Sequence, residues 1–419
     1  MMEKKNSPSR ERLLSGVRVL DLTQFLSGPF CTRLLRDMGA EVIKIEAPPF
    51  GDGARYAPYV RDGYSGYFIQ NNCGKKSVCL NLKDPRGTEI FKNLVRISDV
   101  CVENFSPGVM KKLGLDYDRL SAVNPGLIMC SISGFGQYGP WSQRPGYAAA
   151  AHALSGIMWV AGKNRNPDAP PVAPGAAFGD TGASLHAFGA ISAALYRREK
   201  DGLGEYIDIA LLDSVFDQID SAIEIFVMSE GRDNRAILSP VHTGRDGYAT
   251  IALGVSDTEW KNLVTAMGRP DLLTDPRLAK IQDRVNHLDA IQDIIDEWLQ
   301  TYKHIDDALA VLKKAGIVSA RILSTPEAVA HPQIIAREMM VDIDHPVLGR
   351  LPVVNSPFRL KHARAGLEGL PPEIGEHNRE ILTALAGCSP DDLARLEEGG
   401  VLYTREKRRP ENPGRPAPE

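Results

Sequence analysis

The six cysteines (Cys31, Cys73, Cys79, Cys101, Cys130 and Cys388) form no CxxC pair, which removes the simplest thiol redox motif and the paired-thiolate metal sites. Several stand in apolar runs, so they are expected as reduced, mostly buried thiols of a cytoplasmic protein. None of the nine histidines falls in HExxH or another metal-ligand spacing, and no metal is expected. There is neither a GxSxG elbow nor a Cys–His signature, so serine or cysteine hydrolase chemistry has no support. No stretch of 18 apolar residues could cross a membrane. The polar stretch Met1 to Arg12 precedes no hydrophobic segment of signal-peptide length. Charge of one sign is scarce too. With 49 Lys and Arg against 53 Asp and Glu, the net charge of −4 gives no reason to expect a nucleic acid or an anionic membrane as partner. A bound anion must be held by local groups.

What is present is an alternation of strands and helices. Residues 16–22 read as a buried strand, Ser27-Gly28-Pro29 as a turn, Phe30 to Met38 as a helix, and Ala40 to Ile45 as a second strand after Gly39. The turn is not GxGxxG, so a dinucleotide fingerprint is missing. Strands near 77–82, 100–103, 127–133 and 205–211 alternate with helices near 85–95, 107–112 and 180–202, which predicts an α/β fold with a Rossmann-like large domain. One helical run is expected from Leu212 to Met228. Ser256-Asp257-Thr258-Glu259 has capping-box spacing and opens a helix to Met267. At 419 residues the chain exceeds one typical core. The expected division is an N-terminal tail (1–15), the large domain (16–230), a smaller α/β domain (231–335), a return segment on the large domain (336–404) and a disordered tail (405–419).

Gly179-Asp180 stands out, a small-residue turn presenting one carboxylate in front of a long helix. Asp180 reads either as the N-cap of that helix or as a carboxylate nucleophile whose ionised form the helix terminus favours. Lys75-Lys76, Asn81 with Lys83, and Lys111-Lys112 fall at strand ends, where a basic rim suits a phosphate-bearing ligand. His152 and His186 read as packed helix residues. His242 and Arg245 are either loop residues or a carboxylate-binding pair.

Ten blocks in order carry a resemblance: GVRVLDLT with SGP, DMGAEVIKIE, NNCGKKSVCLNL, ENFSPGVMKKLGL, NPGLIMCSISGFGQYGP, RPGY, GD at 179–180, GEYIDIALLDSV, DGYATIALG and GRPDLLTDPR. Together they resemble the class III coenzyme A-transferases, the group of formyl-CoA transferase and carnitine CoA-transferase. The resemblance implies Asp180 as the catalytic aspartate. It implies CoA contacts at Ser27, Leu80, Asn81, Lys83, Asn104, Phe105, Ser106, Lys112, Gly146 and Tyr147. It further implies a homodimer of interlocked ring-like chains (the family also allows heterodimers), acyl-CoA and a carboxylic acid as substrates, and no permanently bound cofactor. Leu26 stands where formyl-CoA transferases carry Gln, Ala47 where they carry a basic residue, and Ala148 where many members carry an acid. Two alternatives stay open. One is a 2-methylacyl-CoA racemase, whose Gly-His-Asp motif here reads Gly146-Tyr147-Ala148; the other is an acyl-CoA-binding paralogue with impaired catalysis.

Overall fold

The computed structural model describes residues 11–163, 168–231, 240–252 and 256–405. Most of the two expected tails, and 232–239 of the polar segment before Gly247, lie outside these. The described chain forms two compact units. One takes the residues up to Ile157, Pro174–Ile219 and those from Ile335 onward; the other takes Met158–Ala173 and Asp220–Ile334.

The first unit is built on β1 (Arg18–Asp21), α1 (Ser27–Asp37), β2 (Glu41–Glu46), α2 (Gly66–Asn72), β3 (Lys76–Cys79), α3 (Pro85–Val95), β4 (Val100–Glu103), β5 (Ile128–Ser133), α4 (Ala148–Ser155), α5 (Phe178–Asp201), β6 (Glu205–Ala210) and α6 (Leu211–Asp217). The six strands form one parallel sheet in the order β3-β2-β1-β4-β5-β6. Successive side chains of a strand point to opposite faces. Val19, Val42, Val100 and Ile128 therefore meet Leu35, Ala187 and Ile191 on one face. Leu20, Ile43, Val78 and Met129 meet Phe91 and Leu94 on the other. A parallel sheet covered on both faces needs such near-continuous apolar strands. Ile381 and Leu382 of the helix Asn378–Ala386, with Leu393 and Leu396 of Pro390–Glu398, join this second core.

α1 begins at Ser27, three residues before the sequence expectation, and so absorbs Gly28 and Pro29. Proline costs nothing in a first turn, where its N–H would have no helical partner. Gly28 is required there because a Cβ would lie 2.2 Å from the Thr23 side chain. The expected run from Leu212 to Met228 is two helices, α6 and Asp220–Met228, broken where the units divide.

The second unit carries an antiparallel sheet of β7 (Val241–Thr243), β8 (Tyr248–Ile251) and β9 (Ser319–Arg321), in the order β9-β8-β7. Its helices α7 (Asp257–Ala266), α8 (Leu288–Gln300) and α9 (Ile305–Lys314) bury Trp260, Leu263, Ile291, Ile295 and Leu312. The Ser256–Glu259 capping box forms as its spacing predicts.

Candidate active site

Strand order reverses between β1 and β4. The loops leaving their carboxyl ends part there, which is where ligands enter open α/β sheets. A pocket of ≈ 270 Å³ lies at this point of the first unit. Its walls are Gln24–Ser27 after β1, Asn104–Pro107 after β4, Ile132–Gly134 at the end of β5, and Arg144–Tyr147 ahead of α4; Asp180 of α5 and Leu211 complete it. The β5 and α4 walls approach backbone to backbone: a Cβ on Gly134 would lie 2.8 Å from the Gly146 Cα.

The loop after β1 is held residue by residue. The Asn104 amide oxygen accepts the Gln24 N–H at 2.8 Å, and its nitrogen donates to the Gln24 carbonyl at 2.8 Å and to Ser27 Oγ at 3.3 Å. Asp52 accepts the Phe25 N–H at 3.0 Å. Lys44 Nζ donates to the Thr23 carbonyl at 2.7 Å and pairs with Asp52 at 2.9 Å, both side chains fully buried. Phe25 adopts φ 63°, a left-handed conformation costly for a bulky residue, and these bonds over-determine it. Glu103 fixes the neighbouring loop by accepting the Phe105 N–H at 2.7 Å. Burial pushes its carboxyl up to about 7.

Asp180 is the third residue of α5, and the N-cap position falls on Ala177, so Asp180 does not cap this helix. The helix can reach the pocket because its first turns are small. A Cβ on Gly182 would lie 2.0 Å from the Gln218 amide nitrogen, and one on Gly179 would lie 3.3 Å from the Ala148 Cα. Buried Ser184, one turn on, donates to the Asp180 carbonyl at 2.7 Å and to the Ser27 carbonyl, tying α5 to α1. The helix terminus favours ionised Asp180, whereas burial acts the other way and pushes the carboxyl up to about 6. Tyr67, on α2, has its phenol pushed to about 12 by burial and by the Asp180 charge.

Of the residues expected from the resemblance, Ser27, Asn104, Phe105, Ser106, Gly146 and Tyr147 line one pocket with Asp180. Leu80, Asn81, Lys83 and Lys112 are not part of its lining. Leu80 is fully buried and bridges Leu402. Asn81 accepts the Lys83 N–H at 3.1 Å, while the Lys83 and Lys112 side chains are exposed. The expected basic rim is only partly there. Lys75 is buried against Asp21 at 2.9 Å, and Lys76 pairs with Glu41 and Glu380. Burial alone would push Asp21 up, but the charges of Lys75 and Lys44 hold it well below the usual carboxylate range. His186 is exposed and 3.3 Å from Asp217, not packed. His242 is fully buried on Asp296 at 2.7 Å, while Arg245 is exposed.

Sequence reasoning missed Arg144, the cation in the pocket wall among the described residues, which stacks 3.8 Å above the Trp141 ring. Its signal is the RPGY block, of which the resemblance implies a contact only at Gly146 and Tyr147. Tyr67 and the Asn104–Gln24 clamp left no sequence signal, since both depend on loops far apart in the chain. Among the described residues no three His, Cys, Asp or Glu gather as a metal site, and no helix is long and apolar enough to cross a membrane.

A pocket at the reversal point of a parallel sheet, with one half-buried carboxylate in its wall, defines a mixed α/β protein built to act on a small molecule. The sequence model of CoA-transferase family III matches residues 14–378, and the chain belongs to that family. It is 36% identical over 402 residues to the succinyl-CoA–D-citramalate CoA-transferase of Chloroflexus aurantiacus, covering 93% of this chain and 98% of that protein. It is 34% identical over 418 residues to the formyl-CoA:oxalate CoA-transferase of Streptomyces avermitilis, covering 93% and 100%. Among solved structures, a CaiB/BaiF family protein from Brucella suis superposes with TM-score 0.76 at 33% identity, covering 90% of this chain and all of that one. The protein is an enzyme, a CoA-transferase that takes acyl-CoA as substrate.

Proposed function

We propose that CoA transfer runs through covalent intermediates on Asp180, from an acyl-CoA donor to a carboxylic acid acceptor. A carboxylate oxygen of Asp180 attacks the thioester carbonyl carbon, the C–S bond breaks, and CoA leaves as thiolate with a mixed anhydride on the enzyme. The thiolate attacks the Asp180 carbonyl, releasing the donor acid and leaving an enzyme–CoA thioester. The acceptor carboxylate attacks that thioester, expelling the thiolate once more and forming a second anhydride. Thiolate attack on the acceptor carbonyl then gives the product and restores Asp180. Each step exchanges one activated acyl group for another, so a weakly basic carboxylate suffices. Backbone N–H groups of the glycine-bearing walls are the candidates to stabilise the tetrahedral oxyanions.

The observation that carries the reading is the position of Asp180, a carboxylate in the wall of the pocket at the sheet's reversal point. Ser27, Asn104, Phe105, Ser106, Gly146 and Tyr147 are proposed to contact CoA there, with Leu80, Asn81, Lys83 and Lys112 as contacts outside that lining. The strand order supports a Rossmann-like fold for the proposed large domain (16–230). A smaller domain (231–335) and a return segment (336–404) are proposed beside it, although Met158–Ala173 and 220–230 group with the second compact unit. An interlocked homodimer in the cytoplasm completes the proposal. Short-chain dicarboxylic acids are the favoured acceptors, since the relatives' names include D-citramalate, glutarate and oxalate. The racemase alternative needs a base on each face of the α-carbon, and no histidine is among the residues lining the pocket.

The test is intact mass and peptide mapping after incubation with a panel of acyl-CoAs, beside an Asp180→Ala control. A CoA adduct on the Asp180 peptide, absent from the control, is the expected outcome. Exchange of α-deuterium into a 2-methylacyl-CoA without an adduct would instead favour the racemase, and binding without either would favour an impaired paralogue.

A further inference from the structure

The helix that carries Asp180 starts without a capping side chain of its own. Its N-cap residue is Ala177, and the N–H groups of a first helical turn have no partner within the helix. Thr181 returns its N–H to the Ala177 carbonyl at 2.9 Å. The Gly179 N–H, one residue before Asp180, is buried and points to His152 Nε2 at 3.1 Å. His152 is 5% exposed and belongs to α4, the helix that continues from the Arg144–Tyr147 wall of the pocket. Its ring stands edge-on to Phe178, with centroids 6.4 Å apart. The close approach that allows the bond rests on Gly179 and Ala148, since any Cβ at 179 would press on the Ala148 backbone.

We infer that His152 is a positioning residue for the transfer reaction: its Nε2 lone pair caps α5 from outside and registers Asp180 against the pocket wall. This deepens the Asp180 reading above and rests on it. An acceptor Nε2 must be bare, so the neutral ring carries its proton on Nδ1. A protonated ring would turn an N–H toward the Gly179 N–H and set a positive charge at the positive end of the helix. The elements packed on α4 are α5 and α6. α5 carries Asp180 and His186 toward its start and the charged run Arg197 to Asp201 at its far end, and α6 carries Asp213 and Asp217, the last near His186. None of these moves the imidazole, which burial alone holds below its usual value. The cap is therefore in its accepting form at neutral pH and is lost on acidification.

The experiment compares the full-length protein with His152→Gln and His152→Ala. Glutamine supplies an amide oxygen that accepts at every pH; alanine supplies nothing. With histidine labelled in its ring nitrogens and aspartate in its carboxyl carbon, the His152 resonance should show Nδ1 protonated and Nε2 bare at neutral pH. The Asp180 carboxyl titration should move in His152→Ala and return in His152→Gln. In CoA transfer, His152→Ala should lower kcat about tenfold while KM for acyl-CoA stays within about twofold, the signature of lost alignment. His152→Gln should recover to within about threefold and lose the part of the acid limb that comes from the imidazole. An Nε2-protonated ring, or a glutamine variant as impaired as the alanine one, would overturn the inference. If no acyl-CoA labels Asp180 in the unaltered protein, the covalent mechanism fails, while the tautomer and the Asp180 titration still decide the cap. If His152→Ala does not fold, His152→Gln carries the comparison alone.

Discussion

Replacing Asp180 by asparagine is expected to make the folded protein more stable at neutral pH while abolishing CoA transfer. The carboxyl is pushed from 3.8 to about 6 by burial, so the folded state prefers it protonated and is penalised for holding it ionised. The sign follows from linkage. A carboxyl whose folded pKa lies above its unfolded one carries no penalty below the unfolded value, and the penalty grows as pH rises through the folded value. A shift of about two pK units corresponds to about 3 kcal/mol. Asp180 is only half-buried, so solvent screening reduces this to about 1–2 kcal/mol. For a chain of this size that is a rise of about 1–3 °C in Tm. The assay is thermal unfolding of both proteins across the acid and neutral range. The asparagine variant should be the more stable near pH 7.5, with the gap closing toward pH 4. A variant less stable at pH 7.5, or a gap independent of pH, would refute the claim that burial of the charge dominates at this site. The activity of the unaltered enzyme should fall with a midpoint near 6 as Asp180 takes up its proton.

Two further outcomes follow from the loops around the pocket. Asn104→Ala leaves the Gln24 N–H and carbonyl without their partners, so it should cost about 1–3 kcal/mol in denaturant unfolding and lower kcat/KM through the displaced Phe25 turn; unchanged stability would show that the clamp contributes little. Lys75→Met leaves the buried Asp21 carboxylate without its partner and should cost about 3–5 kcal/mol, partly recovered by adding Asp21→Asn; a neutral single substitution would contradict the pairing.

Much of the sheet was legible because apolar runs bounded by glycine and proline carry their own period. The strand 100–103 and the helix 85–95 behind Asp84-Pro85 form with the expected ends. The start of α1 was misplaced because Ser-Gly-Pro reads as a turn, and only the packing of Gly28 on Thr23 makes it a first helical turn. Lys75 reads from the sequence as part of a basic rim because it stands in a lysine pair at a strand end, yet it is buried in an ion pair. Its carboxylate partner lies 54 residues earlier, on β1. His152 was read as packed, and so it is, but its bond to Gly179 could not be read from a helix of alanines.

By itself the sequence determined the family, the alternation that makes a covered parallel sheet, and the one carboxylate at 180 behind a glycine. Those are properties of local order, written in periodicity and in motifs short enough to read along the chain. The tertiary structure alone decided which of the expected contacts share a pocket, and that burial weakens the acidity of Asp180. It also decided that Asn104, Asp52 and His152 hold the walls and the helix in register. Distances between loops and the loss of water around a charge exist only once the strands are ordered in space, so no reading along the chain could supply them.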